Sequence, residues 1–481
     1  MSIIQYTQNK LCNYPTIARY IALRYALKRF VYMKIKNLTG IVIKKIVRHL
    51  RHPSTILYSQ LTNTTFPEEP VSTYRINARL SAALHDIKNY GITHNIGALV
   101  PKVNRYATYV YTSFLKYNPN NLGNWSTTPN EGGTKRLEYE LIHKLIDLYH
   151  ARKERIEGYV TGGGTEGNLY AVWLGKTYIL TYVKLDQVCL FRTELTHYSV
   201  DKACHMCSIA QTIVPLRQDT WTMDANALER QMIDNIKKGI RGCIISLTVG
   251  HTETGSSDNI QNIITAIESV KKKYNNIHIS IIIDAAFNGL IQPFITDDFR
   301  PFMSRYIHAI SIDFTKFTAI PYPAGAVLYR KQLRKLIEKE VPVFTMKDNT
   351  ITGSRPGAPV AAIWAILHQS GKRKFKEIII KQMKLKQLFI EKMKELFPDS
   401  EIISDPQSLT CGIILHKKKN LFFSKDLEER YWLYAKKTRF SFSNGINRTV
   451  VLYKFFFLQH VTKRVIEEFF ADVQRSLYGK Q

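Results

Sequence analysis

Ile279-Ser-Ile-Ile-Ile-Asp-Ala-Ala-Phe287 is an apolar, β-branched run that closes on a carboxylate and two small residues. A run apolar on both faces is what a strand buried inside a parallel sheet requires. Comparable runs stand at 187–191, 211–215, 242–248, 307–312 and 325–329, with helical stretches between them. That alternation predicts an α/β fold with a largely parallel sheet. In such sheets the working residues gather at the carboxyl ends of the strands, which is where Asp284 stands.

Three other segments belong with Asp284. Upstream, Gly162-Gly-Gly-Thr-Glu-Gly-Asn168 opens a helical stretch. Small residues let backbone N–H groups approach an anion, the helix start offers its positive end, and Thr165 can add a hydroxyl. A tight turn would use the same glycines, and the Walker spacing is absent because no Gly-Lys-Ser/Thr follows. His197, in Thr196-His-Tyr-Ser-Val200, is a ring that can stack, hold a carboxylate or move a proton. A solitary histidine is more often structural, and its place in the ordered set is what distinguishes it. Lys316, in Ser311-Ile-Asp-Phe-Thr-Lys-Phe317, precedes a mostly uncharged stretch to Tyr329. That setting argues for a sheltered amine, which is the better nucleophile.

An anion loop, a ring partner, a carboxylate at a strand end and a late lysine are the parts that hold pyridoxal phosphate as an electron sink. Asp284 would pair with the protonated ring nitrogen. At ~4 Å and an effective dielectric of ~20, the pair is worth on the order of 4 kcal/mol before desolvation. Ala286 shares a strand face with Asp284 and is small enough to lie against a ring.

The wider sequence sets the frame. Its 481 residues are 45% hydrophobic, enough for a large core and more than one domain. The boundaries read as a basic arm and linker (1–75), a helical segment (76–150), a large domain (151–345), connecting helices (346–400) and a small α+β domain (401–481). Within these, 76–90 and 137–155 have helical spacing, and 118–133 has loop composition. A helix is expected to start around Trp364, with a closing helix near 460–476 and strands near 410–415, 437–442 and 448–453.

Net charge is +29, and residues 1–67 hold eleven Lys or Arg and no acid, which leaves 29 − 11 = +18 on the rest. Such a field favours anionic partners. The amphipathic basic stretch 16–51 suits an anionic membrane surface, a targeting peptide or an arm packed on another subunit. No run is long and apolar enough to predict a membrane span. No nucleic-acid motif is found, and no specific nucleic-acid partner is expected. The six scattered cysteines point to reduced thiols and an intracellular, cytoplasmic setting. Cys204 and Cys207 read as neighbours on a helix face; zinc would need two more ligands, so no metal is expected.

The sequence resembles the group II pyridoxal-phosphate-dependent amino-acid decarboxylases. Gly158–Asn168 and Thr196–Val200 are similar to the histidine/serine decarboxylase branch. Gly133-Thr-Lys-Arg-Leu-Glu-Tyr-Glu140 and Ile312–Lys316 resemble the archaeal tyrosine/aspartate decarboxylases. Ile283–Phe287, Pro323–Gly325 and Thr352-Gly-Ser-Arg-Pro-Gly357 are similar to both. The resemblance implies an aspartate-aminotransferase-like (fold type I) large domain and a smaller C-terminal α+β domain. It implies a homodimer that acts on an L-amino acid as its small-molecule substrate, with pyridoxal 5'-phosphate as cofactor.

By the same resemblance, Gly164 and Thr165 bind the phosphate, His197 stacks on the ring, and Thr252 contacts the cofactor or the substrate carboxylate. Asp284 and Ala286 meet the ring, and Lys316 is the lysine linked to the cofactor. Lys316 and His197 are the expected catalytic groups. The sequence departs from the pattern at Thr315 and Ile282, where histidines are usual, and at His251, where threonine is common. At Thr315 a phosphate contact is either lost or replaced by the hydroxyl, and Thr315 is counted among the cofactor-binding residues. The mobile-loop tyrosine has no counterpart in 340–350. Two rival readings stand beside decarboxylation. One is a sphingosine-phosphate-lyase-like carbon–carbon cleavage, which Gly353–Gly357 and Trp364-Ala also resemble; the other is an impaired homologue acting as a basic binding protein.

Overall fold

The computed structural model describes residues 67, 70, 72–89, 94–123, 132–342 and 346–478. The chain divides into Met1–Tyr90 and Gly91–Gln481. In the first unit the described residues hold helix α1 (Thr73–Asn89). The basic stretch 16–51 and most of the 52–73 linker lie outside the described residues.

The second unit is built on a seven-stranded sheet. Its strands are β1 (Ile156–Thr161), β2 (Val188–Arg192), β3 (Ala210–Ile213), β4 (Gly242–Thr248), β5 (His278–Asp284), β6 (Ile307–Asp313) and β7 (Gly325–Arg330), in the order β1-β7-β6-β5-β4-β2-β3. The strands from β3 to β6 pair in parallel, whereas β7 runs antiparallel to both β6 and β1. The central strands are buried along nearly their whole length, as their unbroken apolar runs demand. Helices α4 (Gly164–Ile179), α5 (Tyr198–Cys207), α6 (Ala225–Lys237) and α7 (Ile260–Lys273) fall between strands. Cys204 and Cys207 both lie on α5, with Cys204 buried.

Ahead of the sheet come α2 (Arg105–Leu115) and α3 (Thr134–Leu148). Leu141, Ile142, Leu145 and Ile146 of α3 are fully buried, as their spacing predicts. The helix stops at Leu148 rather than continuing to Arg155. His150 takes a left-handed backbone with φ 51°, and the Ala151 N–H returns to the Ile146 carbonyl, which closes the last turn. A short hairpin, β8 (Lys339–Val341) with β9 (Met346–Asp348), follows β7. Helix α8 (Ala358–Leu396) then begins before Trp364, with proline in its first turn, and kinks at Gly371, whose φ is 57°.

The chain ends in a four-stranded antiparallel sheet, β10 (Glu401–Ser404), β11 (Thr410–Ile414), β12 (Lys436–Ser441) and β13 (Asn447–Phe456), in the order β10-β11-β13-β12. Helices α9 (Lys425–Tyr431) and α10 (Lys463–Tyr478) accompany it. Phe389, Phe455 and Phe469 are fully buried in the core that joins α8, β13 and α10. Strands β1 and β10 were not among the expected ones. In β1 the apolar pattern is broken by Glu157, which is buried against Arg334 at 2.9 Å.

Two sequence motifs that look unrelated meet in one buried ion pair. Arg355 Nη1 lies 2.5 Å from Glu138 Oε1, and its Nη2 donates to Glu138 Oε2 at 3.2 Å. The guanidinium also donates to the carbonyls of Val160 and Gly123. Glu138 accepts in addition from the Val160 N–H and the Asn121 amide. The pair therefore fastens α3 and the 353–357 turn to Val160 of β1, two residues before the glycine loop. Removing one partner leaves an uncompensated buried charge. Arg355→Met is expected to destabilise the protein by about 3–5 kcal/mol, read as a lower urea midpoint. Arg355→Met combined with Glu138→Leu should recover part of that loss.

Candidate active site

A cavity of about 140 Å³ opens at the carboxyl ends of the central strands. Gly164, Thr165 and Asn168 of α4 line one side, Leu195, His197 and Tyr198 another, and Thr248, Gly250 and Thr252 a third. Asp284, Ala286 and Phe287 after β5, with Asp313 and Lys316 after β6, complete the wall. Seven of the eight residues expected at the site thus meet here from separate parts of the chain, Thr315 being the exception.

The glycines answer to geometry. Gly163 has φ 144° and leads into α4, a backbone that side chains rarely adopt. A Cβ on Gly164 would come within 2.9 Å of the Ala286 methyl. Glu166 ties the loop down by accepting from the Gly162 N–H at 2.7 Å.

Asp284 is only 6% exposed. One oxygen accepts from the Ala286 N–H at 3.0 Å and the other from Asn168 Nδ2 at 2.7 Å. The same Asn168 nitrogen reaches Ser199 Oγ at 2.9 Å, and Ser199 Oγ lies 2.7 Å from His197 Nδ1. His197 also caps α5, accepting from the Ser199 N–H. Burial is the largest influence on its imidazole. Asp284 opposes it and Lys316 adds to it, and the pKa falls below its usual 6.5.

Lys316 is half-buried, and its amine has no hydrogen bond or ion pair among the described residues. Thr248 lies beside Asp284 on the neighbouring strand; its hydroxyl is buried with no partner. Thr315 does not line the cavity. Its hydroxyl and N–H both go to Asp313 Oδ1, at 2.6 and 2.8 Å, a local turn that an aspartate two residues before a threonine favours. Asp313 Oδ2 in turn accepts from the Gly164 N–H at 3.3 Å. Sequence reasoning missed Asn168, Ser199, Thr248 and Asp313. Of these, Asn168 had a readable signal: one helical turn separates it from Gly164, so both share a face.

Residues 123–416 match the pyridoxal-dependent decarboxylase conserved domain. The chain belongs to that family. A probable L-aspartate decarboxylase of Pyrococcus abyssi is 30% identical over 375 residues, covering 76% of this chain and 87% of that one. The L-aspartate/L-glutamate decarboxylase of Pyrococcus horikoshii is 30% identical over 393 residues, covering 79% and 91%. The crystal structure of L-methionine decarboxylase from Streptomyces sp. 590 has the same fold, with a TM-score of 0.72 at 17% identity over 86% of this chain and 96% of that one. This decarboxylase is a carboxy-lyase that uses pyridoxal phosphate to convert an amino acid to an amine and carbon dioxide. The carbon–carbon lyase reading has the weaker support. No helix among the described residues is long and apolar enough to cross a membrane.

The residues of the decarboxylase cavity fit pyridoxal phosphate. The unpartnered Thr248 hydroxyl and Lys316 amine need polar partners. The glycine loop at a helix start suits an anion. A buried carboxylate suits a cationic ring nitrogen, and Ala286 leaves room beside it.

His251, behind Thr252, is fully buried with both ring nitrogens facing acceptors: the Leu195 carbonyl at 3.1 Å and Asp258 Oδ1 at 3.4 Å. Burial is the largest single influence and lowers its pKa, but the charge and hydrogen bond of Asp258, the Leu195 carbonyl and Glu253 together outweigh it, and the net shift is upward from 6.5. A raised folded pKa adds stability that is complete below the unfolded value, about 6.5, and lost as pH rises through the folded one. The wild type should therefore melt above His251→Asn by a margin that shrinks from pH 6 to pH 9, read by thermal unfolding.

Proposed function

We propose that the decarboxylase removes the α-carboxylate of an L-amino acid in this cavity, with Lys316, Asp284 and His197 as its central groups. The observation that carries this reading is their convergence, with the glycine loop, on one cavity. Bound pyridoxal phosphate supplies an electron sink for the pair released from the breaking bond. Gly164 and Thr165, at the positive end of α4, would hold the phosphate, Thr165 through its N–H and hydroxyl and Gly164 by giving up its contact with Asp313. The Asp284 carboxylate would face the ring nitrogen and favour its protonated form, and Ala286 and His197 would lie against the ring. The Lys316 amine would hold the cofactor, and Lys316 Nζ or His197 Nε2 would carry the proton returned to Cα. Thr252 meets the substrate carboxylate. Thr315 acts through Asp313, the partner that the Gly164 amide would leave. Orientation and fixed charge supply the rate.

The domain assignment follows the chemistry, with residues 151–345 as the cofactor domain and 401–481 as the small domain. We assign the working form as a homodimer, and the basic sequence 16–51 as a stretch suited to an anionic membrane surface.

The test is carbon dioxide release from a panel of L-amino acids, beginning with the aspartate and glutamate named for the archaeal relatives. Added pyridoxal phosphate should give a visible absorption band in the wild type that Lys316→Ala lacks, with activity down by at least roughly 10³-fold. Asp284→Asn should keep the band and lose roughly 10²–10³-fold in kcat. No band and no carbon dioxide from the wild type would refute the reading.

A further inference from the structure

We propose that Asn168 and Ser199 are positioning residues: they hold His197 as the neutral tautomer with its proton on Nε2 and tie that ring to Asp284. The inference rests on the decarboxylase reading for its use in catalysis, but not for its geometry.

The hydrogen-bond directions in this relay are fixed from both ends, by the carboxylate and by the Ser199 backbone N–H. An ionised carboxylate only accepts. The Asn168 amide must therefore turn its nitrogen, not its oxygen, to Asp284 Oδ2, 2.7 Å away. The second hydrogen of that nitrogen goes to Ser199 Oγ at 2.9 Å, which occupies a lone pair of the hydroxyl. One lone pair remains, so the hydroxyl is able either to give its hydrogen to His197 Nδ1, 2.7 Å away, or to accept from it, and the backbone decides between the two. The Ser199 backbone N–H, which cannot accept, points at the same Nδ1 from 3.3 Å. Nδ1 therefore carries a lone pair, and the proton of the neutral ring is on Nε2, which has no partner among the described residues. That N–H is left for the occupant of the cavity.

The relay is shielded from water. Asn168 is 3% exposed and Ser199 is fully buried, so a lost partner is not replaced by solvent. Protonating the ring would put a hydrogen on Nδ1 against the Ser199 N–H. The charged groups acting on His197 are Asp284, Lys316, Glu253 and Asp313. Burial dominates them and favours the neutral ring, in agreement with the geometry. A His of lowered pKa contributes stability above about 6.5 that is lost as pH falls through its folded value.

The experiment is ¹⁵N NMR of histidine-labelled, full-length, cofactor-free protein, with the His197 signals assigned by their loss in His197→Gln. At pH 7.5 the wild type should show an unprotonated Nδ1 and a protonated Nε2. Ser199→Ala should raise the His197 pKa by about 0.5–1 unit, the worth of one hydrogen bond, and Ser199→Thr should restore it. In the cofactor-loaded protein, the acid limb of the kcat profile should move with it. A protonated Nδ1 in the wild type overturns the proposal, and so does an unchanged titration in Ser199→Ala. If Ser199→Ala does not fold, the wild-type tautomer still decides. A correct tautomer in a protein that releases no carbon dioxide would overturn the decarboxylase reading and leave this one standing.

Discussion

A carboxylate held nearly out of water at the end of a central strand is the constraint around which this molecule is arranged. A buried charge is tolerated only when it is paired and hydrogen-bonded. Within the chain, Asp284 receives two donors, the Ala286 N–H and the Asn168 amide. Both are neutral, so its charge stays uncompensated except at a distance, with the Lys316 amine in the same cavity wall. On the proposed reading, a cationic ring nitrogen would supply what the protein withholds. The carboxylate's position at the end of β5, flanked by β4 and β6, brings the 249–252 and 313–316 loops to the same cavity.

The scaffold behind the cavity meets a second electrostatic demand. The Glu138–Arg355 pair is buried on both sides, with 0% and 3% side-chain exposure, and backbone groups and Asn121 make further hydrogen bonds with it. Its location explains why Gly133–Glu140 and Thr352–Gly357 are recognisable stretches although neither touches the cavity. They set the direction from which β1 delivers the glycine loop. The close approaches of Gly164 to Ala286 and of Gly167 to Ser311 do the rest, since a methyl at either would push α4 off the sheet.

Much of this was legible in the sequence because parallel-sheet burial writes itself as unbroken apolar runs. β4, β5 and β6 could be read almost to the residue. β1 could not, since Glu157 and Gly158 break its pattern, and the compensating Arg334 is remote in sequence. The end of α3 was misplaced because apolar spacing continues past Leu148 while the backbone turns at His150. At the site, Lys316, Asp284 and His197 were readable from residue type and order. The roles of Asn168, Ser199 and Thr248 were not, because they depend on which polar atoms face one another once strands and helices pack. Thr315 was read as a ligand for the phosphate, but the nearer Asp313 claims its hydroxyl. Local turn chemistry prevailed over a distant partner.

The central claim is that Asp284 keeps the cofactor's ring nitrogen protonated. The direct measurement is the ¹⁵N chemical shift of ring-labelled pyridoxal phosphate bound to the full-length protein at neutral pH. The account predicts the shift of a protonated pyridine nitrogen in the wild type, and of an unprotonated one in Asp284→Ala. An unprotonated nitrogen in the wild type would contradict it, leaving Asp284 as a structural carboxylate and the electron sink without its charge partner.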